Sequence, residues 1–154
     1  MSLVRITRRA ALLGSLGALA VPMISAGPAL AAAPVLTFDD LYGSIGVLGL
    51  TFSDKVKQLA GQTVTMRGFM APPLKAEAAF FVLTEIPMSI CPFCSSDSDW
   101  PDNIVVVYLD AKQTFVQPNT VIEVDGTLEY GSWTDAETGF VSLLRLRGAR
   151  FSAV

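Results

Sequence analysis

From Ala10 to Ala26 the chain is an almost unbroken run of apolar and small residues, and Arg5, Arg8 and Arg9 before it are the only charges ahead of Asp39. Residues 35–50 stay apolar but turn glycine-rich, with Phe38, Leu41 and Tyr42 near the start, and read as a lead-in segment that packs onto the domain beyond it. At Ser53 the pattern becomes helical. Ser53-Asp54-Lys55-Val56-Lys57-Gln58-Leu59-Ala60-Gly61 offers a hydroxyl to cap the first free amides, an aspartate at the positive end, and a glycine suited to a left-handed exit. Val56, Leu59 and Ala60 would then face inward.

Beyond Gly61 the period drops to two. Residues 63–71 set Val64 and Met66 against Thr65, Arg67 and Phe69, and Pro72-Pro73 ends the run. Residues 79–85 are densely aromatic and β-branched and stop before Pro87. Ile104-Val105-Val106-Val107-Tyr108 has no polar alternation, which suits a strand covered on both faces. Residues 120–130 alternate Ile122, Val124, Gly126 and Leu128 with Glu123, Asp125 and Thr127; residues 135–139 make a turn, and 140–146 return toward Arg145 and Arg147. Gly68 and Gly126 fall inside strand patterns, where glycine marks a bulge or a barrel bend. Five strands and one short N-terminal helix predict an all-β fold: a five-stranded OB-like barrel, with a small β-sandwich as the alternative.

The arginines, the apolar stretch and Ala29-Leu30-Ala31 come in the order of a cleavable export signal, with small residues three apart where a signal peptidase reads. Arg8-Arg9 before Ala10-Ala11-Leu12-Leu13 is twin-arginine-like. Gly14, Gly17, Pro22, Gly27 and Pro28 interrupt the stretch too often for a permanent anchor. The expected organisation is a signal over 1–31, a lead-in over 32–52 and a barrel over 53–154, in a periplasmic or secreted protein with no membrane anchor after cleavage. That division changes the charge. The whole chain has 11 basic and 14 acidic side chains, net −3; three of the basic ones lie in the first 31 positions, leaving 8 against 14, net −6, in the remaining 123. An acidic domain argues against a nucleic-acid partner, which calls for a basic face. The absence of histidine removes Ser-His-Asp and Cys-His machinery and argues against an enzyme.

The chemistry that remains is concentrated in one loop. Residues 88–102 join two strong strands and hold both cysteines of the chain in Cys91-Pro92-Phe93-Cys94. Loops of this length without secondary structure are often functional. Three readings stay open: a local Cys91–Cys94 disulfide in an oxidising compartment; a thiol–disulfide redox centre, which would want a helix after the first cysteine; and a soft-metal site. Copper(I) accepts two or three soft ligands, with Met88 three residues ahead of Cys91 as a third, and zinc would need a second chain to complete four thiolates. Asp97, Asp99 and Asp102 lack the glycine and distal glutamate of a calcium loop and read as a solvated acidic stretch. Glu123, Asp125 and Glu129 recur at strand spacing and read as a solvent face; Tyr130, Trp133 and Phe140 flank one turn and read as barrel-end core or rim.

Six short motifs together resemble a group of small exported bacterial proteins of unknown function: Leu59-Ala60-Gly61, Gly68-Phe69-Met70-Ala71-Pro72-Pro73-Leu74, Phe81-Val82-Leu83, Cys91-Pro92-Phe93-Cys94, Val124-Asp125-Gly126 and residues 139–145. The likeness spans residues 55–150. This chain departs from the pattern by inserting Pro73 before the leucine and by Ser95-Ser96-Asp97 after the second cysteine. The resemblance implies an OB-like fold and a periplasmic accessory or binding role, with an ABC-type membrane transport system or another periplasmic protein as partner. Of its residues Cys91 and Cys94 carry over as the functional pair, while Gly68, Phe69 and Met70 are more architectural. The leading expectation is therefore a binding or accessory module; a thiol-dependent oxidoreductase is second. A third is an interaction module presenting Phe69, Met70 and Trp100.

Overall fold

The structure is a computed structural model that describes residues 32–46, 49–72, 79–88 and 100–154, which belong to one compact unit. The fold is mostly β, with 53% of residues in strands, a small two-stranded sheet, a five-stranded mixed sheet and almost no helix. The export-like segment and the loop bearing Cys91 and Cys94 lie outside the described residues.

A 3-10 turn at Phe38–Asp40 precedes strands β1 (Tyr42–Gly46) and β2 (Gly49–Phe52), which pair antiparallel as a separate sheet. The segment read as a lead-in thus contains a hairpin that its sequence pattern did not predict. Gly43, Gly46 and Gly49 dilute the apolar alternation there, so sequence periodicity carries no strand signal. Helix α1 (Asp54–Leu59) starts as expected, with the Ser53 hydroxyl accepting from the Val56 amide at 3.1 Å. Val56 is fully buried. Gly61 adopts φ +77°, but its N–H donates to the Leu128 carbonyl at 2.8 Å, tying the helix exit to the large sheet instead of closing the helix on itself.

The large sheet contains β3 (Thr63–Met70), β4 (Phe80–Thr84), β5 (Ile104–Leu109), β6 (Val121–Thr134) and β7 (Val141–Ala153). Each strand has two neighbours in the order β3-β4-β5-β7-β6, so the sheet closes on itself, and β5 and β7 form its one parallel pair. Val64, Met66, Gly68 and Met70 of β3 alternate inward as the two-residue period requires. All five residues of β4 and the first five of β5 are buried, which explains their missing polar alternation. The core gathers Met66, Met70, Phe81, Leu83, Ile122, Leu128, Leu144 and Leu146, with Leu36 and Leu41 from the N-terminal side.

β6 and β7 run well past the expected ends at residues 130 and 146. Gly131 and Gly148 take φ +104° and +55° beside the two register shifts of this pair, absorbing a bulge in each strand without ending it. Gly68 and Gly126 answer a different demand. A Cβ on Gly68 would lie 2.6 Å from the Thr84 carbonyl oxygen, and one on Gly126 2.9 Å from the Ala149 Cβ. Here glycine permits close approach of neighbouring strands.

Candidate functional site

Both stems of the cysteine-bearing loop are held by hydrogen bonds. The Glu85 amide donates to the Asn103 carbonyl at 3.2 Å just beyond the last β4–β5 pair, Thr84 with Ile104. The Thr84 hydroxyl, fully buried, reaches the carbonyls of Phe69 and Ile86, locking the chain as it leaves β4. Trp100, where the chain returns, is 5% exposed, and its indole N–H donates to the Tyr42 hydroxyl at 2.8 Å. The loop thus departs from and returns to one end of the β4–β5 hairpin, beside the small sheet.

A cleft of about 380 Å³ opens at that end. Phe38, Tyr42, Gly43, Ser44 and Leu50 come from the turn and the small sheet; Glu85, Asp102 and Asn103 come from the loop stems, and Asp39 completes the lining. The wall is therefore part aromatic and aliphatic, part acidic. Asp39, Glu85 and Asp102 are exposed and have no ion-pair or hydrogen-bond partner for their carboxylates among the described residues. The neighbouring Asp40 differs: the Lys55 ammonium at 2.7 Å, followed by the Thr37 hydroxyl and amide, holds its carboxyl down at about 2. Its side chain braces the 3-10 turn under the cleft.

A second cluster sits near the β6–β7 turn. Arg145 is 7% exposed; its Nε donates to Glu129 at 2.8 Å and its Nη1 to the Gly131 carbonyl at 2.9 Å. Arg147 shares the same Glu129 oxygen at 3.3 Å and stacks its guanidinium 4.1 Å from the Trp133 ring centre and 4.7 Å from that of Tyr108. Burial pushes the Glu129 carboxyl up, but the hydrogen bonds and charges of the two arginines outweigh it and hold it below the ordinary range. Burial, with Asp135 nearby, pushes Tyr108 above the ordinary phenol value, so its hydroxyl stays protonated. Two arginines shared by one carboxylate and stacked on aromatic rings make a fastening for the long hairpin.

The candidate residues separate accordingly. Cys91 and Cys94 lie outside the described residues; Met88, half-buried at the edge of the loop, is the nearest described member of that set. The reading of Phe69, Met70 and Trp100 as a contact surface needs correcting for two of the three. Met70 is 1% exposed and Trp100 5%, and both belong to the core; Phe69 alone is half-exposed. A tryptophan beside an acidic loop looks like a surface residue in sequence, but here its ring is a core wall and its N–H has an internal partner. Glu123 pairs with Arg67 at 2.7 Å and Asp125 accepts from the Thr65 hydroxyl, so these acids brace neighbouring strands. Phe140 is buried and Tyr130 is at 40% exposure, the core and rim expected of that turn. Among the described residues no group of three or more His, Cys, Asp or Glu side chains is placed to hold a metal. Asp39, Tyr42 and Glu85, which line the cleft, gave no sequence signal of acting together.

Fold and cleft together define a small β-rich domain with an open, partly acidic cleft where a long loop is rooted. The sequence matches no family model and no curated protein. Among solved structures it is similar to a DUF3299 family protein from Pseudomonas aeruginosa PAO1, at 15% identity and a TM-score of 0.52, covering 80% of this chain and 97% of that one. At that identity the likeness is one of fold. It accords with the resemblance to an uncharacterised family.

Proposed function

We propose that this protein is an exported, OB-like accessory or binding module whose working end is the β4–β5 end: the cleft together with the Cys91–Cys94 loop rooted beside it. One observation carries the reading. Residues on both stems of that loop, Glu85 before it and Asp102 and Asn103 after it, also line the 380 Å³ cleft. The loop that bears the thiols therefore has both of its described stems on the wall of the cleft. The closed order with one parallel pair is what a five-stranded Greek-key barrel of OB type requires, and a sandwich of two open sheets would leave strand edges that this order does not have. In this reading the cysteines form a local disulfide or bind a soft metal, copper(I) or zinc, and the partner is a membrane transport system of ABC type or another periplasmic protein.

The test is metal analysis with thiol titration on protein purified from the periplasm, beside Cys91→Ser and Cys94→Ser. Copper or zinc near one equivalent per chain or per dimer, lost in Cys91→Ser, establishes the metal-binding form. A fully oxidised pair without metal establishes the disulfide form. Free, metal-free thiols, with both variants retaining an identified partner complex, would remove the loop from the function altogether.

A further inference from the structure

The closed sheet has one weak seam. β3 pairs with β6 at seven positions from Thr63 to Phe69, but with β4 at two, Phe69↔Thr84 and Met70↔Leu83, continued by the Ala71 amide on the Val82 carbonyl at 2.9 Å. Farther along that edge, at Thr65, β3 is met by a short N-terminal stretch. Val35 bridges Thr65 in parallel; the Leu36 amide donates to the Thr65 carbonyl at 2.9 Å, and the Thr65 amide donates to the Pro34 carbonyl at 3.0 Å. Leu36 is fully buried in the core, and Thr37 is held directly after it by its amide and hydroxyl on the Asp40 carboxylate. Ala32 and Pro34 are exposed and Ala33 is half-exposed. The change from free to fixed backbone therefore falls within a few residues, just after the expected signal.

We infer that residues 34–36 are a strap sealing the β3 edge, and that this strap sets the limit of proteolytic maturation: an exported peptidase that hydrolyses the chain to release the leading segment cuts before Pro34. Proteases take their substrates as extended chain with free backbone groups. The strap is extended, but its backbone groups are committed to Thr65 and its leucine to the core, so the folded domain offers no cut there. Hydrolysis upstream, with water adding across one peptide bond to leave a new carboxylate and a new amine, breaks none of the strap's contacts. The maturation half rests on the export reading above; the strap half does not.

The experiment uses the full chain. Limited digestion with thermolysin, followed by intact mass, gives a resistant core beginning at or before Pro34; a core beginning after Leu36 overturns the strap. Hydrogen exchange gives a Thr65 amide protected well beyond an unstructured amide, and exchange at the unstructured rate overturns it as well. Leu36→Ala raises cutting between residues 36 and 41 and exchange at Thr65 by about tenfold to a hundredfold while the β3–β6 ladder stays protected, because both track the population of the locally open state. Protein recovered from the cell envelope has lost the leading segment and begins no later than Pro34. A chain that keeps its leader in cells, while the digested core still begins before Pro34, overturns the export reading and upholds the strap.

Discussion

The same seam makes Gly68→Ala a direct test of how closely β3 and β4 approach. A methyl group there would sit 2.6 Å from the Thr84 carbonyl oxygen and 3.2 Å from the Leu83 side chain. The leucine end can swing aside, but the carbonyl is backbone and belongs to the strand that must stay paired. Restoring an ordinary carbon–oxygen contact requires β3 and β4 to part by about 0.7 Å, since such contacts fall near 3.3 Å. They would part in a short contact, held by Phe69↔Thr84 and Met70↔Leu83, the Ala71 amide on the Val82 carbonyl and the Thr84 hydroxyl on the Phe69 carbonyl. Overpacking alone costs about 1–3 kcal/mol. Weakening one ladder hydrogen bond adds about 1 kcal/mol. A total near 3 kcal/mol lowers the midpoint of a domain this size by about 10 °C. Thermal unfolding followed by circular dichroism checks this, with Gly139→Ala as the comparison. Gly139 has φ +72° and open space around its Cβ position, so that variant bears backbone strain without a clash and costs about 1 kcal/mol. If Gly68→Ala melts within about 2 °C of the parent, roughly the resolution these magnitudes allow, or no lower than Gly139→Ala, then close approach of the strands is not what requires glycine at position 68.

Other expectations come from the ion pairs and hydrogen bonds. Glu129→Gln leaves the buried Arg145 guanidinium without its carboxylate and destabilises by about 1–3 kcal/mol in urea unfolding, a range already reduced because the glutamate itself is partly exposed. A loss indistinguishable from a surface substitution would dismiss the fastening. Asp40 titrates near 2 in the folded domain against an ordinary 3.8, so its contribution is present above about pH 4 and disappears as pH falls toward 2; Asp40→Asn should flatten the acid limb of the stability curve in that window and leave its shape above about pH 5 unchanged. Trp100→Phe and Tyr42→Phe, measured singly and together, should show a coupling of about 1 kcal/mol for the indole–phenol hydrogen bond. Strict additivity would mean that the pair does not interact in solution.

Much of the architecture is legible in the sequence because it obeys local rules. Ser53 starts a helix, Val64-Thr65-Met66-Arg67 alternates, and the apolar run at Ile104 forms a strand covered on both sides. Failures come where glycine supplies the geometry. The expected strands stop at residues 130 and 146, yet the positive φ of Gly131 and Gly148 lets β6 and β7 bulge and continue. Gly43, Gly46 and Gly49 hide a hairpin, because an alternation rule has no side chain to read at a glycine. The strap is illegible for another reason. Pro34-Val35-Leu36 is too short to show any period, and its structure is imposed by Thr65, far along the chain.

The acidic residues carry the same lesson into function. In sequence Asp39, Glu85, Asp102, Glu123, Asp125 and Glu129 are all plain acids, and only the last three share a pattern, recurring on one face of a strand. The fold sorts them by partners distant in sequence. Glu123 is matched with Arg67, Asp125 with Thr65, and Glu129 with Arg145 and Arg147, so each of these charges is committed to holding adjacent strands together. Asp39, Glu85 and Asp102 meet no cation among the described residues and share the rim of one cleft. Like charges gathered without partners cost stability through mutual repulsion, whereas pairing them across a ladder would have been neutral or better. A stable sheet therefore accounts for Glu123, Asp125 and Glu129 and not for the three acids of the rim. The local charge at the root of the cysteine loop is a property of the cleft, and it is there, more than on the regular face of the sheet, that the proposed binding role is to be tested.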